Sequence, residues 1–347
     1  MSELESFHPG KILVIDFGQL GDVVLSLPAL REIRHRFPNS HITVSVGQSA
    51  ADIVRLAGYA DEIIGVDRVG LRDGPKLVSI MRMFKLLLQV RRERFDFVID
   101  LHSLSETNVL GFLSGAPKRL FSRRPPRSLD FLANFEPRPP VAKDHRERHL
   151  IDRYLDVLQP LGIKTSEREP RIITTSSDAA AVDRILRKVG ADSGFPLVGL
   201  FPGAGNPSRM WPAAKFAQLA DYLIRNDGVR VLLFLGPEEA SMQKRLKETF
   251  PSGTVFMGRL TLPQLAAAQA RLAVFVSNDT GPMHIAAAVG TPVVVLIHNT
   301  TPKSYLPLGD RHRFVSSAVI DEISVEQAYE ATRGVLASSR LSTLFTR

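Results

Sequence analysis

The strongest candidate for a chemical site is a short run of polar residues around Asp279 and Thr280. It follows a predicted buried strand and precedes a helix of small residues that begins near Gly281. Asp279 or Thr280 would cap that helix, whose first-turn N–H groups attract an anion at the positive end of the helix dipole. His284 lies within the first two turns; a lone histidine is more often structural, but this one shares its loop with other polar groups. The segment therefore predicts a diphosphate site.

A glycine-rich loop offers a second place for an anion. It contains Gly203, Gly205 and Asn206 after a predicted strand, and it ends at Arg209 just before a predicted helix. Glycines let backbone N–H groups come close to an anion, and the arginine fork matches phosphate oxygens. An ordinary strand–helix loop would show the same composition, so this alternative stays open.

Two adjacent glutamates, Glu238 and Glu239, follow the predicted strand at 229–235. Either carboxylate could accept hydrogen bonds from ribose hydroxyls or a base amine. The alternative is that both acids favour the start of a helix through its dipole.

A single carboxylate, Asp22, follows the first predicted strand, next to Gly21. This turn lacks the third glycine of a dinucleotide fingerprint, and no acidic residue follows the second strand, which counts against NAD. In open α/β sheets ligands lie at the carboxyl ends of the strands, where Asp22 is expected. It could also serve only to begin a helix, as aspartate often does.

These residues must be positioned by buried parallel strands that alternate with helices. The apolar runs predict strands, and the runs with helical spacing include 76–94, where Leu77, Ile80, Met81, Phe84 and Leu88 fall on one face. Strand–helix alternation predicts α/β units in a doubly wound sheet. The predicted strands are 11–16, 41–46, 62–66, 96–101, 196–201, 229–235, 272–277 and 291–297. The other predicted helices are 23–37, 49–57, 212–226, 238–250, 262–270 and 283–289.

Length and composition predict two globular domains. The chain has 347 residues, and a polar stretch places the boundary near residue 170, which gives domains 1–170 and 171–347. The absence of cysteine excludes disulfides, thiolate metal sites and cysteine nucleophiles. No secretory signal pattern is visible, so a cytoplasmic location is expected. The net charge of +8 suits an anionic partner without selecting one.

One segment, from Lys118 to Arg148, concentrates positive charge. It holds nine basic and four acidic residues together with five prolines, which predicts an exposed loop. The loop could be merely solvated, or it could dock an anionic acceptor or a membrane surface.

Taken together, these motifs resemble the glycosyltransferase family of ADP-heptose:lipopolysaccharide heptosyltransferases, glycosyltransferase family 9. The most specific pieces are LGDVVLSLPALREIR at 20–34 and SNDTGPMHIAAAVGTPVVVL at 277–296, with GAGNPSRMWP at 203–212 between them. The stretch 148–162 also looks like the family's H-x-x-x-R-Y-L helix. The resemblance implies a GT-B fold, in which two Rossmann-like domains face an active-site cleft.

The resemblance also implies a reaction and roles for the residues above. A heptose would move with inversion from ADP-L-glycero-D-manno-heptose to a lipopolysaccharide inner-core sugar, with no metal or other cofactor. Asp22 matches the family's catalytic carboxylate and would be the general base. The departing diphosphate would be stabilised by Arg209 and by the helix start at Thr280 and Gly281. Asp279 and His284 would hold the sugar nucleotide, and either Glu238 or Glu239 would take its ribose or adenine. Substrate-binding roles are also expected for Gly21, Gly203 and Asn206.

The sequence departs from the family pattern just before this turn. Many members carry an arginine where Asp16 stands. A second carboxylate near Asp22 would raise the pKa of that residue if it were close enough, or Asp16 could face away.

Three other functions stay open. The protein could be a family member that transfers another nucleotide sugar to a different surface glycan, or a catalytically silent sugar-nucleotide-binding protein. A nicotinamide oxidoreductase is disfavoured by the missing fingerprint. No nucleic-acid partner is expected, whereas peripheral contact of the segment from Lys118 to Arg148 with the cytoplasmic face of the inner membrane stays open.

Overall fold

A computed structural model describes residues 7–144, 146–191, 194–237, 239 and 243–345. The chain divides into two compact units. The first runs to Pro170 and also takes in Lys303–Tyr305, and the second comprises Arg171–Pro302 and the chain from Leu306 onward.

The first unit is built on a five-stranded parallel sheet in the order β3-β2-β1-β4-β5. Its central strands are buried along almost their whole length, as expected when helices cover both faces of a sheet. β1 pairs with β2 from Lys11 opposite His41 to Asp16 opposite Val46. The strands are β1 Lys11–Asp16, β2 His41–Gly47, β3 Glu62–Val66, β4 Phe97–Asp100 and β5 Lys118–Phe121.

Helices connect these strands and place the carboxyl ends of the strands at one edge. One cluster of buried side chains joins Leu86 and Val90 of α4 and Leu110 of α5 to Ile15 and Val98 of the strands, so α4 and α5 cover the same face. The helices of this unit are α1 Leu20–Arg36, α2 Ala51–Ala57, α3 Arg68–Asp73, α4 Lys76–Glu93, α5 Ser105–Leu113 and α6 Leu150–Val157.

The buried side of α4 is not its most regular apolar face. Leu86 and Val90 are buried against the sheet. The apolar stripe seen in the sequence points to solvent instead: Leu77 is 70% exposed, Ile80 65%, Met81 57% and Phe84 59%.

The second unit has a six-stranded parallel sheet in the order β11-β10-β9-β6-β7-β8. Its core divides into a cluster under α8 and α12 and a cluster under α7, α10 and α11. The strands are β6 Leu197–Phe201, β7 Arg230–Leu233, β8 Val255–Phe256, β9 Val274–Asn278, β10 Val293–His298 and β11 Arg313–Ser317. The helices are α7 Ser176–Lys188, α8 Ala213–Asp227, α9 Gln243–Thr249, α10 Leu262–Gln269, α11 Gly281–Ala288 and α12 Val325–Phe345.

All eight predicted strands are present in the structure, with ends that differ by at most two residues. β5, β8 and β11 were not predicted, because β8 has only two residues and the other two carry polar, partly exposed residues instead of a continuous apolar run. The prediction that Lys118 to Arg148 is all loop was therefore wrong at Lys118–Phe121, which pairs with β4, and at the short 3-10 turn Asp130–Leu132. None of the helices that the structure describes is both long and apolar enough to cross a bilayer.

Candidate active site

Asp22 lies in the first turn of α1, at the carboxyl edge of the first sheet. Its Oδ2 accepts a hydrogen bond of 3.0 Å from the Gln19 backbone N–H, as part of a capping box. The helix-start interpretation of Asp22 is thus correct in its geometry. It does not conflict with a chemical role, because the residue also lines a cavity.

Asp16 is a second carboxylate beside this turn. It ends β1, is 1% exposed and accepts a 2.9 Å hydrogen bond from the Gly18 N–H. Arg68 supports the same turn by donating from Nη1 to the Gly18 carbonyl at 2.7 Å. Burial raises the pKa of Asp16. Asp16 thus stands within electrostatic range of Asp22, which answers the question left by the sequence.

The pKa of Asp22 is raised, first by burial and then by the charge of Asp16. The Gln19 N–H, His102 and Arg68 act in the opposite direction and lower it. A carboxyl whose pKa is raised binds a proton more strongly, which brings it closer to the range useful for a base at neutral pH.

His102 faces the same pair of acids. Its Nδ1 lies 3.7 Å from Asp16 Oδ1, and burial together with the charge of Arg124 lowers its pKa to about 4. The imidazole is therefore neutral at physiological pH.

A buried polar network holds the turn that carries His102. The Asp100 carboxylate accepts hydrogen bonds from the Ser103 N–H at 2.7 Å and from Asn108 Nδ2 at 2.8 Å. Burial raises the pKa of Asp100 to about 7. Asn108 in turn accepts from the Leu129 N–H at 2.8 Å, so the network reaches the basic segment.

A cavity of about 150 Å³ opens next to Asp22 in the first unit. Two guanidinium groups, those of Arg124 and Arg153, line it, and Arg124 donates from Nη1 to the His102 carbonyl at 2.5 Å. Because two cations line the same cavity as Asp22, the cavity suits an anionic molecule that brings a hydroxyl to this carboxylate. The remaining lining residues are Leu101, His102, Ser122, Leu150, Tyr154 and Tyr305.

The sequence did not predict most of the residues that line this cavity. Arg124 belongs to the segment from Lys118 to Arg148, and Arg153 and Tyr154 belong to the R-Y-L helix, but neither motif indicated where the side chains meet. His102 and Tyr305 carried no signal beyond their positions after strands β4 and β10.

In the second unit, Asn278 connects two loops. It is fully buried at the end of β9, and its Nδ2 donates to the Pro202 carbonyl at 2.8 Å and the Gly203 carbonyl at 3.3 Å. Its Oδ1 accepts from the Trp211 N–H at 2.9 Å. β6 and β9 are neighbours in the sheet, so this one amide fixes the glycine-rich loop against the strand that leads to Asp279.

Gly203 and Glu239 pack against each other. A Cβ on Gly203 would lie 2.1 Å from Glu239 Oε1, so this close approach requires a glycine. Glu239 is buried, and its Oε2 accepts from the Gly236 N–H at 2.9 Å. Glu239 thus lies beside the predicted nucleotide loop, whereas Glu238 lies outside the described residues.

Arg209 and Asp279 form an ion pair. Arg209 Nη1 is 3.2 Å from Asp279 Oδ2; the arginine side chain is 56% exposed and the aspartate is mostly buried. Burial raises the pKa of Asp279, and the charge of Arg209 partly offsets this. The two segments predicted to bind a diphosphate therefore meet.

The start of α11 differs from the prediction in one respect. Thr280 occupies the N-cap position, but its side chain makes no capping hydrogen bond. The expectation that Asp279 or Thr280 would cap the helix is thus right for the position of Thr280, whereas no side chain caps the first turn and the Asp279 carboxylate faces Arg209. Gly281 opens the helix, and His284 is buried one turn later.

Asn206 has a local structural role. Its Oδ1 accepts from the Ser208 N–H at 3.0 Å and so caps the 3-10 turn Pro207–Arg209. This turn sets the position of Arg209. Within the part of the chain that the structure describes, no three His, Asp or Glu side chains are grouped so that they could hold a metal ion.

A family model, glycosyltransferase family 9 (heptosyltransferase), matches residues 83–331, which is more than half of the chain. The chain belongs to glycosyltransferase family 9. The matched range contains the second-unit loops and most of the cavity residues, while Asp22 precedes it.

Relatives of this glycosyltransferase match over most of its length. It is 24% identical to lipopolysaccharide heptosyltransferase 3 of Escherichia coli over 286 residues, which is 81% of each chain. Among solved structures, a glycosyl transferase family 9 protein from Veillonella parvula has a TM-score of 0.83 and 26% identity, covering 95% of this chain and 97% of that one. The E. coli ADP-heptose LPS heptosyltransferase II has a TM-score of 0.78 and 21% identity, covering 95% and 99%. The fold is therefore GT-B, with two Rossmann-like domains.

Replacing Asn278 by alanine should lower the free energy of unfolding of this glycosyltransferase by about 2–4 kcal/mol, because the buried Trp211 N–H and the loop carbonyls lose their partner. Equilibrium unfolding in urea measures the change.

The neighbouring Ser277→Ala is the matched control. Ser277 is equally buried, and its hydroxyl makes no hydrogen bond within the described structure, so its loss should change stability by less than about 0.5 kcal/mol. Equal losses for the two variants would mean that the amide bridge does not hold the loop.

Proposed function

We propose that this glycosyltransferase moves a heptose, with inversion, from ADP-L-glycero-D-manno-heptose to an inner-core sugar of lipopolysaccharide. The observation that carries the proposal is the raised pKa of Asp22 beside a cavity lined by two arginines. The printed names of the relatives, a lipopolysaccharide heptosyltransferase and an ADP-heptose heptosyltransferase, support the choice of donor and acceptor.

In the proposed reaction Asp22 acts as the general base. It takes the proton of the acceptor hydroxyl while that oxygen attacks the anomeric carbon, and the bond from this carbon to the ADP oxygen breaks on the opposite face. The acceptor gains the heptose, ADP carries away the bonding electron pair, and the proton stays on Asp22 until solvent removes it. The cationic cavity wall at Arg124 and Arg153 would orient an anionic group of the acceptor.

The donor would be held by the second unit. Arg209 presents its guanidinium from a short turn, and Asp279 holds that group by an ion pair. The diphosphate would receive hydrogen bonds from Arg209 and from the first turn of α11 at Thr280 and Gly281, so that its charge is stabilised as it departs. Glu239 would support the nucleoside, since it packs against Gly203 in the glycine-rich loop.

Asp22→Asn should lower kcat by about 10²–10⁴, because an amide cannot accept the proton. The assay follows ADP release with ADP-heptose, a truncated core acceptor and EDTA in the buffer, since we propose that no metal takes part. ADP affinity should stay close to that of the unaltered enzyme.

Asp52→Asn is the control, since Asp52 is an exposed aspartate that pairs with Arg55 on α2. It should leave kcat unchanged. Full turnover by Asp22→Asn would remove Asp22 from the role of base, and loss of activity in EDTA would contradict the metal-independent reaction.

Arg209→Ala should weaken ADP binding by roughly ten- to a hundredfold, because a charge-assisted hydrogen bond to phosphate contributes about 1.5–3 kcal/mol. Adenosine binding should not change. Isothermal titration calorimetry measures both, with Arg225→Ala on the exposed side of α8 as the control.

The same titrations separate the alternatives. UDP or GDP binding tighter than ADP would favour a family member with another nucleotide sugar. ADP binding without turnover on any core acceptor would favour a silent binding protein.

The pH dependence of transfer should respond in opposite directions to two charge changes. A base must be deprotonated, so kcat/KM falls as the pH drops through the pKa of Asp22. Arg68→Gln removes a charge that lowers this pKa, and the acid limb should move to higher pH. Asp16→Asn removes a charge that raises it, and the limb should move to lower pH. A shift of the acid limb in the same direction in both variants would show that Asp22 does not control the pH profile.

A further inference from the structure

The apolar stripe of α4 lies on the surface of the first unit. Leu77, Ile80, Met81, Phe84 and Leu88 recur at intervals of three and four residues, which aligns them on one face, and all five are exposed. The helix packs against the sheet through the opposite side, where Leu86 and Val90 are buried. A regular apolar face of this kind predicts burial against something other than the protein's own core.

The stripe continues onto α5. The two helices cover the same face of the sheet, and Arg91 of α4 donates from Nη1 to the Leu113 carbonyl of α5 at 3.4 Å. Of the seventeen large apolar side chains that are exposed among the described residues, eight lie on these two helices and a ninth, Phe131, lies on the 3-10 turn that packs against α5. We call them the α4–α5 apolar surface: Leu77, Ile80, Met81, Phe84, Leu88, Val109, Phe112, Leu113 and Phe131.

Positive charge borders this surface. Lys85 and Arg92 each follow a stripe residue by four positions, so they line one side of it, and both are exposed. Arg119 places its guanidinium 5.3 Å from the centre of the Phe112 ring. The only acidic residue of α4 is Glu93 at its end, and it pairs with Lys11.

We propose that the α4–α5 apolar surface docks the protein on an anionic lipid bilayer, with α4 lying in the plane of the interface. An amphipathic helix with apolar side chains on one face and Lys or Arg beside them binds such interfaces through buried apolar area and attraction to anionic headgroups. The basic side chains beside this surface, Lys85, Arg92 and Arg119, favour anionic lipid over a second copy of the chain as the partner. In a two-fold dimer the same face meets itself, which brings like charges together at its edges.

The docking helix is tied to the turn before Asp22. α4 is preceded by α3, and Ser79 Oγ of α4 donates to the Gly70 carbonyl of α3 at 3.2 Å, while Arg82 pairs with Asp67 at 2.7 Å. Arg68 of α3 contacts the Gly18 carbonyl. If the proposed function holds, a lipid-linked acceptor would therefore meet the enzyme on the unit that carries the base.

Co-sedimentation with vesicles tests the docking without any sugar substrate. The unaltered protein should bind vesicles that contain phosphatidylglycerol. The double variant Ile80→Ser with Phe84→Ser should bind them at least about tenfold more weakly, because insertion scales with buried apolar area. Ile173→Ser removes a 76%-exposed apolar side chain from the second unit and should bind like the unaltered protein.

Charge reversal provides the second arm. Lys85→Glu with Arg92→Glu should weaken binding to the phosphatidylglycerol vesicles and leave the weaker binding to phosphatidylcholine vesicles unchanged. All the altered side chains are exposed, so circular dichroism and the melting temperature should show intact folding.

Two outcomes would overturn the proposal. One is vesicle binding that is equal for the unaltered protein and both double variants. The other is a dimer in analytical ultracentrifugation that disappears in Ile80→Ser with Phe84→Ser while no vesicle binding is seen, which would assign the surface to a second copy. Both results are independent of transferase activity, so failure of the proposed reaction would not produce them.

Discussion

Desolvation of carboxylates at one sheet edge is the constraint on which the first unit depends. Asp16 and Asp100 are fully buried, Asp22 is partly buried where it lines the cavity, and burial raises the pKa of each. Backbone N–H groups compensate: Gly18 donates to the first, Gln19 to the second and Ser103 to the third. The tight turns after β1 and β4 supply those N–H donors. The raised proton affinity of Asp22 is thus a property of the fold at this edge rather than of one contact.

At the carboxyl edge of the second sheet, the fully buried polar group is neutral instead of a carboxylate. A neutral amide, Asn278, occupies the buried position, and both its Nδ2 donor and its Oδ1 acceptor form hydrogen bonds with backbone groups of the neighbouring loop. No charge is desolvated at that position. The ion pair of Arg209 and Asp279 stands nearer to solvent, where exchanging one anionic partner for another costs less. The edge of the first sheet, at Asp22, is therefore suited to binding a proton, and the edge of the second sheet, at Arg209, is suited to releasing an anion.

The sequence allowed the central strands and the residues that directly follow them to be predicted, because buried parallel strands are continuously apolar and their polar turns stand out. Asp22, Arg209 and Asp279 lie in the polar turns after strands. His102 also follows a strand, but its site could not be predicted, because the cavity that it lines with Arg153 and Tyr305 is made by side chains that are far apart in the chain. The stripe on α4 shows a second limit: periodicity identifies an apolar face but not which side of the helix meets the sheet, and here that side carries Leu86 and Val90. The edge strand β8 has only two residues, and the edge strands β5 and β11 are partly polar and exposed, so none of the three shows a continuous apolar run.

The first unit is not a continuous piece of chain. Lys303–Tyr305 belongs to it, although the segment follows β10 of the second sheet, and Tyr305 lines the cavity beside Asp22. During synthesis the ribosome delivers every strand of the first sheet long before it delivers this tyrosine. A nascent N-terminal unit can form its sheet early, but Tyr305, the last residue that lines its cavity, is synthesised only after most of the second sheet. The pocket beside Asp22 is thus finished late in translation, and a gene fragment that stops at the unit boundary would encode it incomplete.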